Sequence, residues 1–153
     1  MCAYICGQFK PMISKVFKVI WIVSLLVMTV ALVYCYAAWP LQLSLTDREP
    51  VELIGKSTLF YLTLTTLGFF NMLAFILPKL NPASHLLAWF YGALACLHFF
   101  LLSGTIFITI FNSLEKYNYA YIGPVLYGSI GLLGAWILSL PFVLLFGKKT
   151  ATE

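Results

Sequence analysis

Charged residues are scarce in this sequence: they make up 9% of its 153 residues, with nine Lys and Arg against five Asp and Glu. A soluble domain carries about 25% charged residues, and one soluble core of this length could not hide the 62% of residues that are hydrophobic. The composition indicates that a lipid bilayer is the solvent. The few basic residues form no cluster dense enough to bind nucleic acid.

Acidic residues are absent from every long apolar run of the chain. Proton-coupled carriers rely on buried Asp, Glu or His side chains, so this absence counts against a small four-helix drug antiporter. Hydrolase triads, phosphate-binding loops and zinc motifs are missing as well. We therefore predict that the chain is not an enzyme and that it has no catalytic residues and no metal site.

Cysteines are few and scattered, at Cys2, Cys6, Cys35 and Cys96. The predicted outer loops contain none, so a disulfide framework is not expected. Cys2 and Cys6 have no further Cys or His nearby, and this spacing alone does not make a metal site.

Four apolar runs are long enough to cross a membrane, since about 20 helical residues cover a hydrocarbon core of ~30 Å. They predict helices at 15–39, 57–78, 84–112 and 121–146. The predicted fold is an all-α integral membrane protein, a four-transmembrane-helix bundle forming a single membrane domain over residues 1–153. Pro11 predicts a break between an interfacial N-terminal segment and the first span. Pro141 lies inside the last turns of the fourth span and predicts a kink or a loosened end there.

The distribution of basic residues predicts the orientation. With four spans both termini lie on one side, which holds six basic residues against three on the other: Lys10, Lys15, Lys18, Lys79, Lys148 and Lys149 against Arg48, Lys56 and Lys116. We expect both termini in the cytoplasm, with the chain in a plasma or inner membrane.

The first outer loop alternates leucines with polar residues over "LQLSLT", and this period of two is typical of a strand. Together with "VELI" it predicts a short β-hairpin at about 41–54, which either packs over the helix ends or pairs with a partner's strand. Leucines of the hairpin and tyrosines of the second outer loop form the predicted partner surface: Leu41, Leu43, Leu45, Tyr117, Tyr119 and Tyr121.

Small residues recur at helical spacing on two spans. Membrane helices associate through close packing, so such faces predict helix contacts, within the chain or with another chain. They are Ala88, Gly92 and Cys96 on the third span, and Gly128, Gly131, Ala135 and Ser139 on the fourth.

His98 lies deep in the third span, where an ionisable side chain is a candidate functional residue. Counting residues from the helix ends places it opposite Thr65 and Thr29, so the favoured interpretation is a neutral imidazole that donates to one of these hydroxyls. Asn71 is a further polar side chain within the membrane.

A haem or quinone contact at His98 is the alternative. Haem would need an axial partner: His85 is out of reach, Met28 is the only thioether at a possible depth, and a second histidine could come from another copy or another subunit.

These patterns favour a non-catalytic accessory or scaffold subunit of a larger membrane complex. Its partners would be the bilayer and other membrane subunits, met mainly on the extracytoplasmic side, and no cofactor is predicted. Two alternatives remain open: a small redox subunit that contacts haem or quinone at His98, and a homo-oligomeric channel or carrier.

Overall fold

The computed structural model describes residues 2–46, 52–80, 84–113 and 122–149, with side chains described for most of them. Four helices in these ranges are long and apolar enough to cross a membrane, as predicted. In chain order the elements are α1 (Cys2–Ala38), β1 (Gln42–Ser44), β2 (Leu53–Gly55), α2 (Lys56–Leu80), α3 (Ser84–Phe111), α4 (Gly123–Leu138) and α5 (Leu140–Lys149).

The first helix is longer than predicted. The helix α1 is continuous from Cys2 to Ala38, so the expected break at Pro11 is wrong. Proline lacks a backbone N–H and disfavours a helix interior, which is why a break was expected. The part of α1 that is long and apolar enough to cross a membrane is its later part, Ile13–Ala38.

The predicted hairpin is present, and its strands are shorter than expected. Strands β1 and β2 are antiparallel and pair Leu43 with Ile54 at their centre. Backbone hydrogen bonds from Leu45 to Glu52 and from Lys56 to Leu41 extend the ladder at both ends. Because the hairpin begins directly after α1 and ends where α2 starts, it lies across the ends of these two helices.

The fourth span is divided in two by Pro141. The helix α4 starts at Gly123 with proline in its first turn and ends at Leu138, with Ser139 as its C-cap, after which α5 begins. Pro141 has no N–H to give to the carbonyl of Ile137, so the helical ladder is interrupted there. This interruption was expected from the sequence.

The third helix is the centre of the molecule, since α3 packs against α1, α2, α4 and α5. Two apolar layers lie between it and its neighbours. The first layer contains Met28, Leu32, Cys35, Trp39, Leu43 and Leu67, and the second contains Trp21, Ala74, Tyr91 and Leu94.

The two small-residue faces have different surroundings. On α3, Ala88, Gly92 and Cys96 are buried, and a Cβ at Gly92 would collide with the Trp136 indole of α4. On α4, Gly128, Gly131 and Ala135 are exposed, and a Cβ at either glycine would meet nothing within 4 Å. The two faces therefore do not meet each other within this chain, because α4 turns Ser129 and Trp136 toward α3 instead.

Candidate functional site

A layer of buried polar side chains joins the first three helices. His98 of α3 is 1% exposed and Asn71 of α2 is 7% exposed. Trp21 of α1 is buried beside them, and Ser24 of α1 is half-buried. Trp21 and Ser24 are three residues apart, so both reach the same face of α1. Four side chains from three helices thus converge within the membrane.

Each polar atom of this layer has a hydrogen-bond partner. Trp21 Nε1 donates to Asn71 Oδ1 over 2.6 Å. Asn71 Nδ2 donates to the Leu67 carbonyl over 2.7 Å and lies 3.0 Å from His98 Nε2. His98 Nδ1 lies 2.8 Å from Ser24 Oγ, which donates to the Trp21 carbonyl over 2.9 Å.

These partners assign the protonation of the imidazole. Since Trp21 Nε1 is only a donor, the Asn71 oxygen must face it, and the Asn71 amide nitrogen must face His98. That nitrogen is also only a donor, so His98 Nε2 accepts. Nδ1 then carries the hydrogen and donates to Ser24 Oγ. The layer is fully paired only when His98 is neutral.

Apolar and aromatic groups enclose the polar layer. Trp21 stacks on Tyr91 with ring centroids 5.2 Å apart and meets the Phe75 ring edge-on at 5.8 Å. On the other side Met28, fully buried, begins the apolar layer that continues to the hairpin. Low polarity around hydrogen bonds strengthens them and makes an unpaired group costly, so the layer fixes how the three helices are rotated.

The predicted partners of His98 are wrong. Thr29 and Thr65 are both exposed, and the Thr29 hydroxyl donates to the Leu25 carbonyl of its own helix. Counting depth from the helix ends took no account of helix rotation. The inward faces carry Ser24 on α1 and Asn71 on α2, which lie about 7 and 9 Å along their helices from the two threonines.

Sequence reasoning placed His98 and Asn71 in the membrane but missed Trp21 and Ser24. Trp21 lies near one end of the first apolar run, a position typical of an interfacial indole. Trp21, Met28 and Leu32 have the spacing of one helix face, but apolar residues recur on every face of this span, so the spacing did not single them out.

The side-chain amide of Asn112, the residue directly after α3, ties the hairpin to the end of that helix. Asn112 Oδ1 accepts from the Ser44 amide N–H over 2.7 Å, and Asn112 Nδ2 donates to the Ser44 carbonyl over 3.0 Å. The side chain of Asn112 therefore occupies the outward-facing backbone groups of β1 at Ser44, where a partner's strand would have to pair. Two roles were predicted for the hairpin, packing over the helix ends or pairing with a partner's strand, and in the structure it packs over the helix ends.

The predicted partner surface is only partly accessible. Leu43 is fully buried in the layer with Met28, Leu32 and Trp39, so its assignment to an outer surface is wrong. Leu41, Leu43 and Leu45 share one face of the strand, and the helices cover only the middle one, Leu43. Leu41 and Leu45 are exposed, at 79% and 44%. Tyr117, Tyr119 and Tyr121 lie outside the described residues.

A second set of polar contacts joins α3 to α4. Trp89 Nε1 donates to Ser139 Oγ over 2.8 Å, and Trp136 Nε1 donates to the Trp89 carbonyl over 2.9 Å. Ser139, which was predicted to pack at small-residue spacing, acts instead through its hydroxyl. Each indole N–H is thus paired across the two helices, and the Trp136 ring lies against Gly92.

Metal-binding clusters of three or more His, Cys, Asp or Glu side chains do not occur in the described part of the chain. Cys35 and Cys96 are free and buried on different helices. His85, the other histidine, is exposed at the start of α3. The arrangement around His98 offers hydrogen bonds between helices and no free nucleophile or base.

Comparison of the chain with protein-family models, with curated proteins and with solved structures finds no match. Its function is therefore argued from its own residues.

Proposed function

We propose that this chain is a non-catalytic accessory or scaffold subunit of a larger integral membrane complex, and that the exposed small-residue face of α4 contacts a partner helix. The observation that carries the proposal is the exposure of Gly128, Gly131 and Ala135. Side chains of this size let two helix backbones approach closely, which is how membrane helices associate.

The position of α4 in the fold supports this choice. The fourth membrane-length helix consists of α4 and the start of α5, and it is the least buried of the four within the chain. It packs on α3 through Trp136 and Ser139, which leaves the opposite face of the helix uncovered. Glycine lowers helix stability, and on a helix surface that faces only lipid nothing offsets the cost of two glycines.

The outer side offers a further contact surface to the same complex. Leu41 and Leu45 are exposed on the hairpin, which Asn112 and Leu43 hold in place. A pre-ordered surface loses less entropy on binding than a free loop does. Membrane partners on the extracytoplasmic side would meet these two leucines.

The proposed location is a plasma or inner membrane, with both termini in the cytoplasm. The even number of membrane-length helices, four, supports a common side for the two ends of the chain. The excess of basic residues on the side of the termini, six against three, favours the cytoplasmic side for them.

A haem or quinone role for His98 is the less favoured proposal. Axial ligation needs an unshared electron pair on a ring nitrogen, and His98 Nε2 accepts from Asn71 while Nδ1 donates to Ser24. Met28, the thioether at a possible depth for a second ligand, is fully buried among Leu32, Leu67 and their neighbours. An absorbance spectrum of the purified chain tests this directly, and a Soret band lost in His98→Ala would reverse the order of the two proposals.

Native mass spectrometry of the tagged protein, extracted gently from its own membranes, tests the accessory-subunit proposal. We expect additional polypeptide masses in a fixed ratio, and their loss in Gly131→Leu. Gly68→Leu is the matched control, since Gly68 is also an exposed glycine in a membrane-length helix with nothing within 4 Å of a Cβ.

A bare monomer, or equal loss with both glycine variants, would contradict the proposal. A closed homo-oligomer would favour the channel or carrier alternative. Flux through liposomes that contain only this chain, compared with empty liposomes, would then be the decisive measurement.

A further inference from the structure

A groove of about 380 Å³ runs between α1 and α3 on the surface that faces lipid. Its walls are hydrocarbon side chains from the two helices: Val19, Ile20, Val23 and Val27 of α1, and Phe99 and Leu102 of α3. Four of these side chains belong to one helix and recur at spacings of one to four residues. They line a continuous apolar path along α1.

The polar residues that border the groove are already paired. Ser24 and His98 also line it, but His98 Nδ1 and Ser24 Oγ bond to each other, and the Ser24 hydroxyl donates to Trp21. An occupant of the groove therefore meets hydrocarbon and finds no free donor on these two side chains. This chemistry fits an alkyl chain and does not fit a polar ligand.

The length of the groove matches one leaflet of a bilayer. From Val19 to Val27 is eight residues, or about 12 Å of helix, against about 15 Å for half of a ~30 Å hydrocarbon core. A partner's transmembrane helix would need a track across the whole core. The groove lies in the N-terminal part of the α1 span, so one leaflet can fill it.

Two lysines lie at the end of the groove. Lys15 is four residues before Val19, so it shares the helix face on which Val19, Val23 and Val27 recur. Lys18 directly precedes Val19, and both lysines are exposed. Long basic side chains extend toward the headgroup region from such positions.

Among the described residues, negative charge is distant from these lysines. Glu52 is the only acid among the residues that the structure describes, and it lies beside the hairpin, at the opposite end of the α1 span. Basic residues beside a cleft between membrane helices attract anionic lipid headgroups. Charge and shape at the two parts of the groove thus complement one molecule that has an anionic head and an alkyl tail.

We propose that the groove between α1 and α3 binds one acyl chain of an anionic phospholipid, whose headgroup is held by Lys15 and Lys18. The hydrocarbon walls select the tail and the lysines select the charge of the head. The bound lipid would cover the side of His98 and Ser24 that faces the groove, and so complete the enclosure of the polar layer.

Competition between two lipids tests the proposal. The intact purified protein is incubated in mild detergent with equal amounts of phosphatidylglycerol and phosphatidylcholine that carry the same acyl chains, and the adducts are counted by native mass spectrometry. We expect one phosphatidylglycerol adduct per chain to predominate. Lys15→Gln should lower its ratio to phosphatidylcholine about fivefold, the effect of about 1 kcal/mol per lysine near a membrane surface.

Two further variants separate head from tail. Val23→Phe fills the groove at a lipid-exposed position and should abolish the retained adduct of either lipid. Lys79→Gln removes one exposed lysine from the same side of the membrane but from α2, and should leave the ratio unchanged. Equal retention of the two lipids, an equal effect of Lys79→Gln, or an unchanged adduct in Val23→Phe would each overturn the proposal.

Discussion

At the scale of single residues, Asn71 holds the polar layer together, because its side-chain amide forms hydrogen bonds with both Trp21 and His98. Replacing it by leucine leaves Trp21 Nε1 and His98 Nε2 without partners in a low-dielectric layer. We expect Asn71→Leu to lower the free energy of unfolding by about 1–2 kcal/mol. Titration with SDS, followed by far-ultraviolet circular dichroism in mixed micelles, measures this change.

Thr65→Val is the matched control on the same helix. Thr65 is exposed, so its loss should change the free energy of unfolding by less than about 0.5 kcal/mol. If the two variants were equally stable, Asn71 would not hold the layer together.

At the scale of helices, the packing around a glycine determines how a larger side chain at that position changes stability. Gly92 of α3 lies against the Trp136 ring, where a methyl group would collide with the indole. We expect Gly92→Ala to destabilise the protein by about 1–3 kcal/mol, because overpacking moves the two helices apart. The same SDS titration measures the change.

Gly128→Ala is the control, with the same chemical change at an exposed position of α4 where a Cβ meets nothing. The purified chain should tolerate it or gain up to about 1 kcal/mol from the better helix propensity of alanine. Destabilisation of both variants to the same extent would show that Trp136 is not the cause.

The hairpin depends on α3 as well as on its own short strands. Asn112→Ala removes both hydrogen bonds to the Ser44 backbone. An isolated two-stranded hairpin is marginally stable, so we expect the Ser44 amide to exchange with deuterium at least tenfold faster in this variant. Hydrogen–deuterium exchange with mass spectrometry measures it.

Gln42→Ala serves as the comparison for the hairpin, since Gln42 is exposed on β1 and its side chain holds no described contact to α3. Its exchange should match that of the unmodified protein. Unchanged protection in Asn112→Ala would mean that burial of Leu43 alone holds the hairpin.

At the scale of the whole molecule, four spans would put both ends of the chain on one side, and the distribution of basic residues predicts which side that is. We expect a cysteine placed beside Lys79 and one placed at Thr46 to react with a membrane-impermeant maleimide from opposite sides, in a variant whose four native cysteines are replaced. Because the excess of basic residues favours the cytoplasm for the side of the termini, we expect Thr46→Cys to be labelled in intact cells. The cysteine beside Lys79 should be labelled only after lysis. The reverse pattern would place the termini outside.

The sequence by itself determined the number of spans, the position of the hairpin and the interruption at Pro141. Hydrophobicity and length are properties of one segment, and the bilayer acts on each segment separately, so these features need no knowledge of a neighbour. The alternation of Leu41, Leu43 and Leu45 likewise indicated a strand before any contact was known.

Only the tertiary structure decided how the helices are rotated against one another. It turned Ser24 and Asn71 toward His98 and left Thr29 and Thr65 exposed, and it covered Gly92 with Trp136 while the glycines of α4 stayed open. In a membrane span nearly every face is apolar, so periodicity does not distinguish the lipid side from the protein side. Close packing and a few hydrogen bonds make that choice, and both belong to pairs of helices.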